Sequence, residues 1–455
     1  MTYSSLIFAS VILPLSVLFL FFDRSSEYKN LCLCITSFLF VTWGHHLLAG
    51  ALFVTLIVDY LFALAVEGSL KRDKSRAVTF LILDLLVNAA VLVFIAHNDV
   101  FPEESGLLIN KMFLPVGAAF YALKNFAYVY DVYSGRCKAE RSPFYFITFG
   151  MSYPFMLAGP AVRYSEIAPQ LRERKLTAAL MSRGVKSFAL GFIKSVIAVP
   201  AFNSIAEAGI YAEHAAGLGS VIGMLAKFSA VWFTFTGMSD MGTGIACMNG
   251  FDVPLNYTRL NSKLMLGGAV RCYNTSMIEL FKDIRGDSAA TPVWTVVLAV
   301  CGAAFYSPKP MSLIVGLITG IILAGEYLFA YDRIERIPSP VKAIVTAVIG
   351  FFLFSPLAFN DFPEWLFWIT GIAVSNENSS ETNAAVFELV KNNMLIIIIF
   401  LAAVSPIGEL VKNAADKLSQ RSAGHYTAVK VTEAVLTAAA LAISFILLAA
   451  NTAAV

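Results

Sequence analysis

The sequence predicts an all-α polytopic membrane protein, and three observations indicate that fold class. Hydrophobic residues make up 58% of the 455 residues and charged residues only 14%, and the mean hydropathy is +0.72, which is far from the composition of a soluble domain. Apolar runs of about 20 residues, the length that crosses a bilayer, recur along the whole chain. Basic clusters alternate with acidic or neutral loops between these runs, as expected when basic loops stay on the cytoplasmic side.

The apolar runs predict about 11–13 transmembrane helices. Two further segments, 143–161 and 264–281, are interrupted, and we predict that they are re-entrant or surface-lying. No linker, repeat or low-complexity tract divides the chain, so we expect one integral membrane domain over residues 1–455. The candidate spans lie near residues 4–22, 31–44, 48–66, 77–96, 113–131, 187–204, 219–247, 290–306, 312–331, 343–360, 389–406 and 430–450.

The stretch from Met151 to Leu171 is the most irregular apolar part of the chain. It contains Pro154 and Pro160, which break helices because proline lacks the backbone N–H. Broken helices are tolerated at membrane depth only where the freed backbone groups are buried in protein or line a wet cavity. We therefore expect the rest of the chain to fold around this segment.

Four ordered blocks of sequence resemble one protein family, the membrane-bound O-acyltransferases. The likeness is to the bacterial branch that contains alginate O-acetylation and teichoic acid D-alanylation proteins. It implies a helical membrane bundle around a central funnel, in the bacterial plasma membrane. The blocks are Leu114 to Gly117, Tyr128 to Tyr133, Ala158 to Arg172, and Phe235 to Phe251 with its Thr236-Gly237-Met238-Ser239-Asp240-Met241 core.

The resemblance also implies a reaction and partners. Such a protein moves an acyl group from a cytoplasmic donor to a hydroxyl of an extracellular cell-envelope polymer. The implied donor is an acyl-carrier protein or another acyl thioester, the acceptor is an extracellular polymer or a lipid, and membrane lipids and an accessory membrane protein are further partners. Nothing in the sequence points to a nucleic acid, a cofactor or a metal site.

The chain departs from the family at its histidines. An acceptor hydroxyl is a poor nucleophile near neutral pH, and an imidazole can take its proton as a general base. Thr319 stands where the family has its catalytic histidine, while Tyr306 and Asn274 replace histidines of two other motifs. None of these three side chains is a useful base at neutral pH, and general-base help contributes about 100- to 10,000-fold in rate.

Asp240 is the side chain that we expect to substitute for the missing base, because burial can turn an intramembrane carboxyl into a usable acid or base. The alternative is that it hydrogen-bonds the backbone at a helix break. We predict substrate-binding roles for Arg163, Arg259, Lys124 and Ser239, with ordinary helix-end contacts as the alternative for the arginines.

Two charged sites have specific alternatives. Lys124 lies inside a span and could contact an anionic ligand, or it could pair with Asp131, Asp59 or Asp84. Asp283, on the segment that follows the second interruption, is expected to lie on a solvated face.

Two functions follow from these residues. The first is an O-acyltransferase that works without histidine and uses Asp240. The second is a non-catalytic relative that keeps the membrane fold and binds a lipid, an acyl carrier or a partner protein. Acyl release from a labelled donor would distinguish them.

Overall fold

A computed structural model describes most of the chain, and every element in the described part is a helix. The described residues are 3–22, 25–43, 46–96, 114–157, 162–210, 217–257, 265–272, 275–286, 291–306, 310–330, 336–359, 361–373, 377–404, 406–420 and 422–453. Arg259 and Asn274 lie outside them, so the structure does not test the roles predicted for these two residues.

The residues group into two compact units, and the chain passes between them several times. Unit 1 consists of residues 1–188, 238–258 and 273–309, and unit 2 of residues 189–237, 259–272 and 310–455. The prediction of one domain over the whole chain stays a prediction.

Unit 1 contains the N-terminal helices and the broken segment. In chain order its helices are α1 (Phe8–Phe19), α2 (Ser26–Thr42), α3 (His46–Leu70), α4 (Lys74–Ala96), α5 (Leu114–Tyr133), α6 (Pro143–Gly150), a short 3-10 helix (Tyr153–Phe155), α7 (Tyr164–Arg172) and the start of α8 (Ala178–Ile210). The end of α9 (Gly217–Met248) also belongs to unit 1, as do two later helices, α11 (Thr275–Arg285) and α12 (Thr291–Tyr306). Helix α10 (Leu266–Cys272), which lies between α9 and α11 in sequence, belongs to unit 2.

Unit 2 contains the rest of α8 and α9 and the C-terminal helices. Its further helices are α10 (Leu266–Cys272), α13 (Pro310–Gly325) with a π-helical turn (Glu326–Ala330), α14 (Ser339–Phe354), α15 (Phe362–Ala373), α16 (Glu377–Asn392), α17 (Met394–Val404), α18 (Pro406–Ser419) and α19 (Ala423–Ala453). Its core packs Phe202 of α8 and Phe233 of α9 against Trp368 of α15.

The prediction of an all-α polytopic membrane protein is confirmed. Helices occur at all twelve predicted spans, but seven described helices are long and apolar enough to cross a membrane, or eight if the bent pair Ser380–Asn392 and Met394–Ala403 is one span. The predicted number of 11–13 spans is therefore not reached within the described residues. The apolar helices Phe8–Phe19 and Thr291–Ala304 are shorter, at 10–17 residues, and are not among the seven.

The membrane assignment also explains where the large apolar side chains lie. Leu61 of α3 is 55% exposed and Leu86 of α4 is 57% exposed, although both helices are strongly apolar. Exposed leucines on helices of this length are expected when lipid, rather than water, covers that face. The polar side chains of the same helices point into unit 1 instead, as Asp59 and Asp84 show by their complete burial.

Candidate functional site

The candidate site is built around the broken segment of unit 1, as the sequence predicts. Helix α6 ends at Gly150 and the 3-10 helix begins at Tyr153. Residues Tyr153, Pro154 and Phe155 are buried. The break is thus enclosed by protein, which is the condition under which irregular backbone is tolerated at membrane depth.

Lys124 of α5 binds the last two carbonyl groups of α6 at the break, of which the Phe149 carbonyl also accepts from the Ser152 amide at 3.3 Å. Its Nζ donates to the carbonyl oxygens of Phe149 and Gly150, each at 2.8 Å, and lies 4.9 Å from the ring centroid of Phe149. The last carbonyls of a helix have no intrahelical donor, and they form the negative end of the helix dipole. A cation there is favourable because it donates hydrogen bonds to these carbonyls and because its charge opposes the dipole. The predicted pairing of Lys124 with an aspartate is wrong, because its ammonium group binds backbone oxygens.

Helices α1 and α2 hold the other side of the break. The Tyr153 amide donates to Ser37 Oγ at 3.1 Å, and the Tyr3 hydroxyl donates to the Tyr153 carbonyl. The Tyr153 hydroxyl lies 3.4 Å from Ser16 Oγ. Each backbone group of Tyr153 therefore has a side-chain partner, which fixes the turn.

Arg163 begins α7 and joins two carboxylates from distant parts of the chain. Its guanidinium forms ion pairs with Asp131 at the end of α5 and with Asp283 of α11. Arg136 reaches the same two carboxylates, at 3.4 Å from Asp131 and 2.7 Å from Asp283. The side chain of Asp131 is fully buried and that of Arg163 is 10% exposed. Both ends of the guanidinium fork are thus used within the protein.

This ionic cluster corrects one prediction and qualifies another. Asp283 does not simply lie on a solvated face, because two arginines bind it. The hydrogen bond from Arg136, with the charge of Arg163, holds the pKa of the Asp283 carboxyl below its ordinary value. The substrate-binding role predicted for Arg163 remains untested, but carboxylates of the chain itself occupy the groups that would bind a phosphate or carboxylate.

A second ionic group, centred on Glu140, connects the loop that precedes α6 with helix α7. Burial raises the pKa of Glu140, but hydrogen bonds from Tyr164, from the Ser142 amide and from Arg172 outweigh it and lower that pKa overall. The Arg172 guanidinium lies 2.5 Å from the carboxylate. Ion pairs therefore hold both ends of α7, through Arg163 at its start and Arg172 at its end.

A surface cleft of about 630 Å³ lies beside α7 and the start of α8. Two hydrogen bonds join the Gln170 side chain to the backbone of Asp252 at this cleft. The side-chain amide donates to the Asp252 carbonyl at 3.1 Å, and the side-chain oxygen accepts from the Asp252 amide at 2.7 Å. Arg183 lies on its wall and donates to the Asp252 carboxylate at 2.5 Å. The turn that brings Asp252 here needs Gly250, whose φ is +86°.

Helix α9 carries the predicted base, Asp240, and the neighbouring Ser239. The helix runs without interruption through this position, so the predicted helix break at Asp240 is wrong. Asp240 is half-buried, and its carbonyl accepts a hydrogen bond from Ser187 Oγ at 2.9 Å. Ser239 Oγ and Thr243 Oγ1 are buried and have no hydrogen-bond partner among the described residues.

Close packing of α8 on α9 places this part of α9. A Cβ atom on Gly244 would lie 2.4 Å from the amide nitrogen of Phe188, and one on Gly184 would lie 2.7 Å from the Gly244 carbonyl oxygen. Only glycine allows backbones to approach so closely, and small residues at helix contacts are typical of membrane proteins.

Thr319 lies in unit 2, on α13, where it is buried. Its hydroxyl donates to the Val315 carbonyl one turn earlier, at 2.7 Å. Tyr306 is the last residue of α12 in unit 1, and its side chain is outside the described part of the structure. Asp240 and Thr319 thus belong to different units, and the catalytic roles predicted for Thr319, Asp240, Asn274 and Tyr306 stay predictions.

Glu326 is a polar contact in unit 2 that the sequence analysis missed. Its two carboxylate oxygens accept from the first amides of α10, Leu266 at 3.1 Å and Gly267 at 2.9 Å. Free amides at a helix start favour a carboxylate. A lone glutamate inside an apolar run was the available signal, since intramembrane ionisable residues always have a reason to be there.

Several known proteins are similar in sequence to most of the chain. A probable alginate O-acetylase of Pseudomonas aeruginosa is 24% identical over 78% of this chain and 72% of its own length. A protein with the same description in Pseudomonas putida is 28% identical over 78% of this chain and 77% of its own length. A peptidoglycan O-acetyltransferase of Helicobacter pylori is 22% identical, over 58% of this chain and 56% of that protein.

No family model matches the chain. The sequence similarity to several alginate O-acetylases nevertheless covers most of the chain. With seven described helices that are long and apolar enough to cross a membrane, the chain is a multi-pass membrane protein that is similar in sequence to O-acetylating proteins.

Proposed function

We propose that this chain takes part in the O-acylation of a cell-envelope polymer as a protein that binds the acyl donor or the acceptor. In this proposal it does not perform the histidine-dependent transfer. The observation that carries the proposal is the state of Thr319, which stands at the position of the family histidine. Its hydroxyl is buried and hydrogen-bonded to the carbonyl of its own helix.

The chemistry explains why this bond matters. O-Acylation requires a base that removes the proton of the acceptor hydroxyl while the new ester bond forms and the thioester bond breaks. A threonine hydroxyl does not accept that proton at neutral pH. Bonding to a carbonyl one turn back is an ordinary use of threonine within a helix, so nothing about Thr319 indicates an activated group.

The resemblance supports the choice of substrates. Two relatives are described as acting on alginate or peptidoglycan, which are polymers outside the cytoplasmic membrane. We infer that the acceptor of this pathway is also an extracellular polymer, and that the donor is an acyl-carrier protein or another acyl thioester. An accessory membrane protein would then supply the transfer step.

An active transferase is the second candidate, and one feature of α9 favours it. Asp240 is half-buried and follows Ser239, whose buried hydroxyl has no hydrogen-bond partner among the described residues. In this mechanism Asp240 takes the proton of the acceptor hydroxyl, the hydroxyl oxygen attacks the acyl carbon, and the proton reaches the departing thiolate. Ser239 would contact the substrate.

One experiment separates the two candidates. The purified chain is reconstituted in liposomes and given labelled acyl-carrier and acyl-coenzyme thioesters, and both donor binding and acyl release are measured. We expect saturable binding and no release above protein-free liposomes, with no change in Thr319→Val. Release that disappears in Asp240→Asn, and persists in the control Asp361→Asn at an exposed residue, would establish the transferase and reject the binding protein.

A further inference from the structure

Two carboxyl groups lie near the middle of the hairpin formed by α3 and α4. Asp59 is near the middle of α3 and Asp84 near the middle of α4, and both are fully buried. Each is 11 or 12 residues from the turn that joins the helices, which corresponds to about 17–18 Å at 1.5 Å per residue. They therefore lie at the same depth, close to the middle of a hydrocarbon core about 30 Å thick.

The carboxyls face each other and lack the partners that buried carboxyls need. Asp84 interacts electrostatically with Asp59. Asn88 Nδ2 donates to Asp59 Oδ1 at 2.9 Å. The other three carboxyl oxygens, Asp59 Oδ2 and both of Asp84, make no hydrogen bond of normal geometry among the described residues. The two carboxyl groups nevertheless lie near enough to each other for a longer hydrogen bond. Buried polar groups are nearly always paired, so three open oxygens in one place require a reason.

Asn125 of α5 provides an independent observation that points to a ligand. The residue is fully buried beside Asp59 and Tyr121. Neither its amide oxygen nor its amide nitrogen makes a hydrogen bond of normal geometry within the described part of the chain. The side chain is directed at the carboxyl pair, near enough to Asp59 and Tyr121 for longer hydrogen bonds. The hydroxyl of Tyr121 lies 3.4 Å from Thr55 Oγ1 and donates to the Leu52 carbonyl, so two more oxygens lie next to the group.

Among the residues that the structure describes, no ion pair joins a cationic side chain to Asp59 or Asp84. Lys124 is the neighbour of Asn125 in sequence, but its ammonium group binds the carbonyls of Phe149 and Gly150. Carboxylates at the bilayer centre are costly and persist when they are paired or when they bind an ion or a proton. Two facing carboxyls without a cation would each lose hydration with nothing to replace it.

We propose that Asp59, Asp84 and Asn125 form a Na⁺-binding site at the midplane of the membrane. Carboxylate, amide and hydroxyl oxygens are hard donors that suit such an ion, and the group has no imidazole or thiolate for a transition metal. One carboxyl keeps a proton, which makes the occupied site neutral. No cluster of three or more His, Cys, Asp or Glu side chains occurs among the described residues, so a divalent ion has too few anionic ligands here.

The direct test is binding of radioactive Na⁺ to the full chain purified in detergent, with choline replacing Na⁺ at constant ionic strength. We expect one saturable site that unlabelled Na⁺ displaces, and loss of that site in Asp84→Asn and Asp59→Asn. Asp252→Asn, which removes an exposed carboxylate outside the hairpin, should bind as the original chain does. Absence of saturable Na⁺ binding in the original chain would overturn the proposal, as would displacement by Ca²⁺ at a much lower concentration than by Na⁺.

A stability measurement covers the case in which an aspartate variant folds poorly. A ligand that binds only the folded state raises its thermal midpoint as the ligand concentration increases. The midpoint of the original chain should rise with Na⁺ and not with choline, whereas that of Asn125→Ala should respond less. A midpoint that depends on pH alone and is indifferent to Na⁺ would mean that the carboxyls share only a proton, and the Na⁺ site would be rejected.

Discussion

The ion pair between Arg163 and Asp131 gives the sharpest prediction for stability. In Asp131→Asn the amide keeps the shape of the carboxyl but removes the charge that faces a guanidinium only 10% exposed. Removing one partner of a buried pair costs about 3–5 kcal/mol, because the other charge stays buried without compensation. Asp283 remains beside Arg163 and is 30% exposed, so we expect the low end, about 3 kcal/mol.

The assay is thermal unfolding of the detergent-purified chain, followed by the loss of monodisperse protein on gel filtration. At about 2 °C per kcal/mol for a chain of this size, Asp131→Asn should lower the midpoint by about 6 °C. The control is Glu67→Gln, which removes the partner of an Arg141 that is 73% exposed, and which should cost less than about 1 kcal/mol. Equal midpoints for the two variants would refute the claim that the buried cluster holds α5, α7 and α11 together.

Three further results are expected. Lys124→Met should lower the thermal midpoint, because the Gly150 carbonyl loses the donor that binds it at 2.8 Å and the Phe149 carbonyl keeps only the Ser152 amide. The expected cost is about 1–3 kcal/mol for the buried group left open, less the gain from no longer burying a charge; an unchanged midpoint would contradict the role given to this lysine. Gly244→Ala should destabilise by about 1–3 kcal/mol through overpacking of α8 on α9, whereas Gly68→Ala, where a Cβ meets nothing within 4 Å, should be neutral or stabilising. Asp283 and Glu140 have lowered pKa values. Their stabilising effect is therefore complete above the unfolded-state pKa of about 4 and is lost as the pH falls through the folded-state pKa values. The difference between the thermal midpoints at pH 6 and pH 3 should be smaller in Asp283→Asn than in the original chain, and an equal difference would contradict this.

The fold class could be predicted from the sequence because a membrane imposes length and composition on each helix. Runs of apolar residues are sufficient for that, and helices occur at every predicted span. The break after α6 could also be predicted, since Pro154 interrupts an apolar run. Apolar runs do not predict the number of spans as well, because they do not distinguish a helix that crosses the bilayer from a shorter one such as Phe8–Phe19.

The contacts of the charged side chains could not be predicted in the same way. Lys124 could have paired with three aspartates, and which acceptor it meets depends on where α6 ends relative to α5, a tertiary relationship without a sequence signal. Asp283 looked like a solvated residue because its neighbours are polar, yet Arg163, which is 120 positions away in sequence, binds it. Propensity and pattern describe one element at a time, whereas these pairs join several elements.

The predicted catalytic residues illustrate the same limit. The predicted replacement of a catalytic histidine by Thr319 rests on one residue type at one position, and it stays a prediction. Whether Asp240 replaces it depends on what its carboxyl faces when the donor and the acceptor are bound. The continuous helix through Asp240 removes one structural explanation for that residue and leaves its chemical role to experiment.

Acyl release by the reconstituted chain under saturating labelled thioester tests the central claim most directly. We expect donor binding with release at the level of protein-free liposomes, in the original chain and in Thr319→Val alike, because the Thr319 hydroxyl donates to a carbonyl of its own helix. Sustained release by the original chain, with the label recovered as an ester on an added hydroxyl acceptor, would contradict the account and establish a histidine-free O-acyltransferase.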